Sequence, residues 1–193
     1  MYRFPSLVAA ACCALSPLAV AAPKADRYRE EVLVTATRTP TALRNAGASA
    51  TVITRDDIDR RNPTFLTDLL RDVPGFAVGR TGGPGKFTQL RVRGAEANQV
   101  LVLIDGIEAN DITRADEFDF AHLGTDDVER VEIVRGPQSA LWGSDALAGV
   151  VNIITRKGQG KPNAGATIEY GSFGSNRISG AVGAGNERYD GSL

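Results

Sequence analysis

Apolar and polar residues alternate with a period of two in several short runs of this chain and recur at helical spacing chiefly in one, which predicts a strand-rich fold with few helices. The helical run is FLTDLLRDV. There Phe65, Leu66, Leu69, Leu70 and Val73 share a face, Thr64 stands at the N-cap, and Pro74 and Gly75 end the pattern. A shorter helix is expected at RDDID, with Thr54 as cap and Asp57 three residues on, approximating a capping box. Strands are expected at ATVIT, FAVGR, QLRVRG, VLVLIDG, VEIV and VVNII. VLVLIDG is continuously apolar and so reads as buried, whereas TDDVERVEIVRG reads as a turn capped by Thr125 that becomes an alternating strand. Between the last two strands lies GPQSALWGSDALAG, too long for a two-residue hairpin and too apolar for a linker. Its Ala, Leu and Trp142 side chains are expected to pack on a core while the glycines and Pro137 turn the backbone.

On either side of this mixed α/β module the texture changes. Residues 1–21 read as an export signal: Arg3 in a basic start, an apolar body from Leu7 to Val20, and the small-residue exit Ala19, Val20, Ala21. The body is too short for a span of about 20 apolar residues and is interrupted by Pro17. Residues 22–38 form a charged, aperiodic arm that leads into the β-prone run EEVLVTATR. An unpaired strand near a terminus invites pairing by another chain. The module occupies residues 39–157, residues 158–163 have the composition of a linker, and residues 164–193 alternate again. Ile168 and Tyr170, then Ile178, Gly180, Val182 and Ala184, fall on alternate positions across a tight turn. A hairpin of an outer-membrane barrel and a soluble amphipathic hairpin both explain that pattern.

Composition narrows the function by exclusion. The 193 residues carry 22 Lys plus Arg against 23 Asp plus Glu, a net charge of -1 that suggests no nucleic-acid partner. Cys12 and Cys13 both lie in the export signal, so the mature chain is expected to hold no disulfide or thiolate metal site; lipidation at Cys12 is disfavoured because Ala9 stands where a leucine would be expected. GGPGKFT is not a phosphate-binding loop: Arg80 replaces the first glycine of that pattern and Phe87 its hydroxyl. His122 is the sole histidine, and Ser144 in WGSDA lacks the second half of a nucleophile elbow. Asp56, Asp57 and Asp59 sit where acids favour a helix dipole. No catalytic constellation emerges, and an enzyme is not expected.

The stretch VERVEIVRGPQSALWGSDALAGVVNIITRKG resembles the C-terminal part of the plug domain in TonB-dependent outer-membrane receptors, and VLVTATR, RVRG and VLVLIDG are similar to other plug segments in the same order. The resemblance covers about residues 30–185. Within the family, TRDDIDR, DLLRDVPG, GGPG and VLVLIDGIEAN are most similar to the cobalamin receptors; Trp142 stands where tyrosine is common and Ala148 where many members have glycine. The fold this implies is an α+β plug domain, a small mixed sheet with short helices and long glycine-rich loops, followed by the first strands of a truncated transmembrane β-barrel. Such a barrel has about 22 strands and takes on the order of 220 residues in strands alone. Only residues 164–193 are available for it, so the sequence is expected to be an N-terminal fragment of a longer receptor.

The resemblance also implies roles. Glu31, Val32, Leu33, Val34, Thr35 and Ala36 correspond to the TonB box, which the energy-coupling protein TonB of the inner membrane captures by strand pairing. Arg38 matches an arginine that pins the box by pairing with a barrel acid; a solvated charge is the alternative. Arg93 and Arg135, in the two Arg-Gly pairs, match arginines that face barrel glutamates, against the alternative of pairing within the plug, for example Arg135 with Glu132. Thr81, Phe87, Thr88, Gln89, Arg114 and Asp116 lie in loops matching the plug apices that touch ligand, or in ordinary solvated loops. The implied ligand is a small molecule, cobalamin first and a ferric siderophore or haem second, and no cofactor or metal site is implied. The location is the outer membrane of a Gram-negative bacterium, with the arm in the periplasm and Tyr170 and Phe173 as interface aromatics. A freestanding periplasmic binding module with the plug fold is the other class of reading.

Overall fold

The computed structural model describes residues 32–33, 41–42, 47–157, 163–185 and 190–192. The export signal, most of the arm and linker residues 158–162 lie outside the described residues, while Asn163, expected to end the linker, is the first residue of a strand.

Fifteen elements follow in order: β1 (Val32–Leu33), β2 (Thr41–Ala42), β3 (Ser49–Ile53), α1 (Arg55–Arg61), α2 (Leu66–Leu70), β4 (Phe76–Arg80), β5 (Thr88–Val92), β6 (Val100–Ile104), β7 (Ile107–Glu108), β8 (Val128–Arg135), α3 (Ser139–Trp142), β9 (Gly149–Thr155), β10 (Asn163–Tyr170), β11 (Asn176–Gly185) and β12 (Asp190–Ser192). The centre is a five-stranded sheet in the order β3-β8-β9-β6-β7, in which β6 and β9 run parallel and the other neighbours antiparallel. β4 and β5 form a separate hairpin, and β10 to β12 a three-stranded sheet.

Both faces of the central sheet are covered by the chain's own segments. One face presents Ile53, Val131, Ile133, Val151, Ile153, Val100 and Val102 to Ile58 of α1, to Leu66, Leu69 and Leu70 of α2, and to Phe120. The other presents Leu101, Leu103 and Val150 to Ala146 and Trp142, which belong to the glycine-rich segment between β8 and β9. That segment therefore lies over the sheet through Ala146 and Trp142, whereas Leu141 and Leu147, expected to pack with them, are 39% and 52% exposed. It is closed by backbone bonds from Gly136 to Ala148 (2.9 Å) and from Gln138 to Ala146 (2.8 Å). Each fully buried aliphatic side chain in such a core contributes about 1.5–3 kcal/mol.

Local expectations fare differently. Thr54 forms a full capping box with Asp57, its amide donating to the Asp57 carboxylate at 3.1 Å and its hydroxyl accepting from the Asp57 amide at 3.3 Å. Thr64 does not cap α2; Phe65 is the N-cap, and the Leu66 amide donates to the Leu123 carbonyl at 3.0 Å. A distant backbone segment has taken the cap's place, and the helix is shorter than its apolar pattern, with Val73 buried in the turn beyond it. Thr125 is not a cap either: its hydroxyl donates to the Pro63 carbonyl at 2.6 Å, tying the turn before β8 to the start of α2. β8 alternates only at its start. Val131 to Val134 are all buried because the sheet is covered on both sides, and Glu132 is fully buried with its carboxylate accepting from Arg130 Nε at 3.0 Å.

Gly149, at the start of β9, shows why this crossing is tight. A Cβ there would lie 2.5 Å from the carbonyl oxygen of Val134, a backbone atom that cannot rotate away. Gly149→Ala should therefore destabilise the domain by about 1–3 kcal/mol, read as a lower urea midpoint at unchanged slope.

Candidate functional site

Two loops meet at one end of the β4–β5 hairpin. The loop 81–87 is closed by Thr81, whose amide and hydroxyl both donate to the Phe87 carbonyl, at 3.1 and 3.2 Å. Arg114, from the loop 111–118, lies with its guanidinium 5.7 Å from the centre of the Phe87 ring. The same guanidinium donates to Asp119 Oδ2 at 3.1 Å and approaches Asp111 at 3.5 Å. Asp119 joins the loops from below: its Oδ1 accepts from the amides of Thr88 (3.0 Å) and Ala121 (2.9 Å).

Of the loop residues singled out from the sequence, Thr81 and Arg114 are exposed, and Phe87, Gln89 and Asp116 are half-buried. Thr88 is buried, its hydroxyl donating to the Lys86 carbonyl at 2.7 Å, so it shapes the loop from within. Ala115 and Asp116 adopt left-handed backbone angles, φ 55° and 61°. Asn110 holds that bend. Its side-chain amide donates to the Asp116 carbonyl (2.7 Å) and the Val100 carbonyl (3.1 Å), while its Oδ1 accepts from the Val102 amide (2.8 Å). Asn110 and Asp119 were missed by sequence reasoning; the available signal was an Asx residue flanking each end of the loop.

The two Arg-Gly pairs converge on the Pro74-Gly75 turn. Arg93, at φ 53°, donates its amide to the Gly75 carbonyl at 2.7 Å. Its side chain runs beside Gly75 and Gly136: a Cβ on either would come within 3.3 Å of its Cγ or 3.9 Å of its Nη1. Arg135 donates to the Pro74 carbonyl and the Thr51 hydroxyl, both at 3.0 Å, and its Nε is shielded without a partner. Glu132 pairs with Arg130 rather than Arg135, since residues three apart on a strand face opposite sides. Among the described residues no carboxylate forms an ion pair with Arg93 or Arg135.

At the N-terminal end, Val32 and Leu33 pair antiparallel with Ala42 and Thr41. Glu31, Val34, Thr35, Ala36 and Arg38 lie outside the described residues. At the other end, the β10–β11 register puts Ile168 opposite Ile178 and Tyr170 opposite Asn176. Ile168, Tyr170, Ile178 and Val182 are 58–85% exposed, forming an uncovered apolar face.

With this geometry in view, comparison with known proteins is decisive: the TonB-dependent Receptor Plug Domain model matches residues 42–150. The chain belongs to the TonB-dependent receptor family. Its central sheet, short helices and long loops are the plug domain fold of that family, which comprises receptors and transporters rather than enzymes. The chain is 36% identical over 168 residues to the vitamin B12 transporter BtuB of Vibrio vulnificus, covering 86% of this chain and 27% of that protein. Among solved structures, the outer-membrane ferripyoverdine receptor of Pseudomonas aeruginosa superposes with a TM-score of 0.67 at 23% identity, covering 82% of this chain and 21% of that one. The siderophore receptor PiuA of Acinetobacter baumannii gives 0.61 at 25% identity, covering 75% and 19%. The plug chain thus spans about a quarter of the length of the curated relative and about a fifth of these structures.

Asp119 offers a test of how the two plug loops are joined. Burial pushes its carboxyl up, but the amides of Thr88 and Ala121 and the Arg114 charge outweigh this and hold it below the ordinary carboxylate value. A depressed folded value contributes stability above the unfolded value of about 3.9 and loses it as pH falls through the folded value. The Thr88 and Ala121 amides should lose protection in hydrogen exchange, corrected for intrinsic rate, as pH drops below about 4. Asp119→Ala, which removes the acceptor of both amides, should show a loss of about 1–3 kcal/mol of local protection already at neutral pH.

Proposed function

We propose that this chain is the plug and the first wall strands of an outer-membrane receptor that imports a scarce small molecule, cobalamin first, with energy delivered through TonB. The observation that carries the ligand is the 36% identity to a vitamin B12 transporter, which extends over 86% of the chain and so includes both apical loops. A ferric siderophore is the second reading, favoured by structural neighbours such as PiuA at 25% identity.

In this reading the loops at Phe87 and Arg114 meet the ligand from below. Thr81, Phe87, Gln89, Arg114 and Asp116 are the contact residues, and Thr88 acts by holding the loop to Asp119. Arg114 is already engaged by Asp111 and Asp119 and by the Phe87 ring, so it is held in place before any ligand arrives. That lowers the entropy lost on binding. Arg93 and Arg135 present guanidinium groups from one turn, suited to bidentate bonds with carboxylates of the surrounding wall. Their lack of an acid partner among the described residues supports this.

The run from Glu31 to Ala36 is the coupling segment, and Arg38 pins it. Pairing of Val32 and Leu33 with Thr41 and Ala42 supports a strand-forming character. A partner edge would compete for the same backbone donors and acceptors, main-chain bonds giving affinity and alternate side chains specificity. The mature arm lies in the periplasm and residues 1–21 are removed on export.

Two measurements test the proposal on the complete receptor that carries this plug. Uptake of labelled cobalamin should be competed by unlabelled cobalamin and not by ferric chelates; the reverse pattern would replace the first ligand with the second. Leu33→Pro removes a backbone donor from the coupling strand. It should abolish energised uptake while leaving ligand binding unchanged, and surviving uptake would overturn the assignment of the box.

A further inference from the structure

The hairpin of β10 and β11 has two unlike faces. Its apolar face is uncovered, whereas the opposite face carries the cross-strand pair Glu169 and Arg177. Arg177 is 23% exposed and Glu169 30%, well below their neighbours Tyr170 and Ile178 at 85% and 76%. What shields them is the plug.

Arg177 Nη2 donates to Asp126, in the turn before β8 and 51 residues away in sequence. Its Nη1 is closed off from solvent and lies 3.7 Å from Glu169 Oε2. The other Glu169 oxygen accepts from Asn62 Nδ2 at 3.0 Å. Asn62 is the left-handed cap of α1, at φ 44°, fixed by its amide bond to the Ile58 carbonyl at 2.8 Å. Asparagine tolerates that conformation better than most residues. Two separate points of the plug, the end of α1 and the turn before β8, thus grip one charged pair on the hairpin. The contact is wet: an open cleft of about 850 Å³ lies beside it, lined by Asn62, Thr64, Tyr170, Asn176, Arg177 and others.

We propose that Arg177 is the docking residue that seats the first wall hairpin on the plug, bridging Asp126 to Glu169, as a charged contact separate from the Arg93 and Arg135 pair. The inference rests on the reading of residues 163–185 as wall strands. It explains the two-faced hairpin, with the apolar side left for lipid and the charged side for the plug. It also specifies a reversible seat. Ion pairs beside water are individually weak, and a linked set holds a position without the dry packing that would make separation slow.

The test reads the seating directly and needs neither ligand nor TonB, so its failure and the failure of the import reading are distinguishable. In the full chain carrying Cys12→Ser and Cys13→Ser, in detergent, spin labels are placed at the exposed positions Asp68→Cys on α2 and Ser172→Cys at the hairpin tip. The unaltered contact should give one narrow distance. Asp126→Asn or Arg177→Gln should each deplete that population about threefold to tenfold, and both together no further than either alone. Arg177→Lys should keep most of it, and Asp127→Asn, a neighbouring acid outside the contact, all of it. A broad distance in the unaltered chain, no depletion by either single substitution, or losses that multiply in the double would overturn the proposal. Circular dichroism of each variant establishes that the plug itself remains folded.

Discussion

Coverage of the central sheet on both faces is the constraint from which the rest follows. β8, β9 and β6 are buried above and below, while the flanking strands β3 and β7 are half-buried and exposed, respectively. One cover comes from α1, α2 and Phe120, the other from the segment between β8 and β9. The second cover is made largely of small residues, which lets it lie close to the strands it joins. The close approach of Gly149 to the Val134 carbonyl is the tightest expression of this.

Away from that core, the loops are held by side-chain-to-backbone bonds. Asn110 both donates to and accepts from backbone on the two sides of its loop, and the Asp119 carboxylate accepts from the amides of Thr88 and Ala121, neither residue being exposed itself. Arg93 and Arg135 are likewise positioned by the backbone of the Pro74-Gly75 turn. Both arginines are thus tied to carbonyls of one turn, groups that do not titrate.

Periodicity and punctuation made much of this legible. The capping box at Thr54 depends on residues three apart, and the β4–β5 and β10–β11 hairpins on alternation, so both are encoded locally. What failed was what depends on distant chain. Thr64 has the right chemistry for a cap, yet the Leu123 carbonyl occupies the Leu66 amide; Thr125 has it too, yet its hydroxyl is committed to Pro63. The parallel pairing of β6 with β9 is equally hidden, because nothing in VLVLI or VVNII states which neighbour each will take. The binding role of Thr88 was drawn from its place in a loop, and its burial under Asp119 could not be read without knowing that the two loops meet.

The place of β3 in the sheet has a mechanical meaning. It is the first strand of the sheet in chain order and, among the described residues, lies at its edge bonded to β8 alone, through the register from Ser49 opposite Arg135 to Ile53 opposite Val131. A load entering from the N-terminal side therefore meets a strand with one neighbour before it reaches any strand with two. The sheet is graded like a seam with a loose end: its outermost stitch can be undone while β8, β9 and β6 keep their pairing.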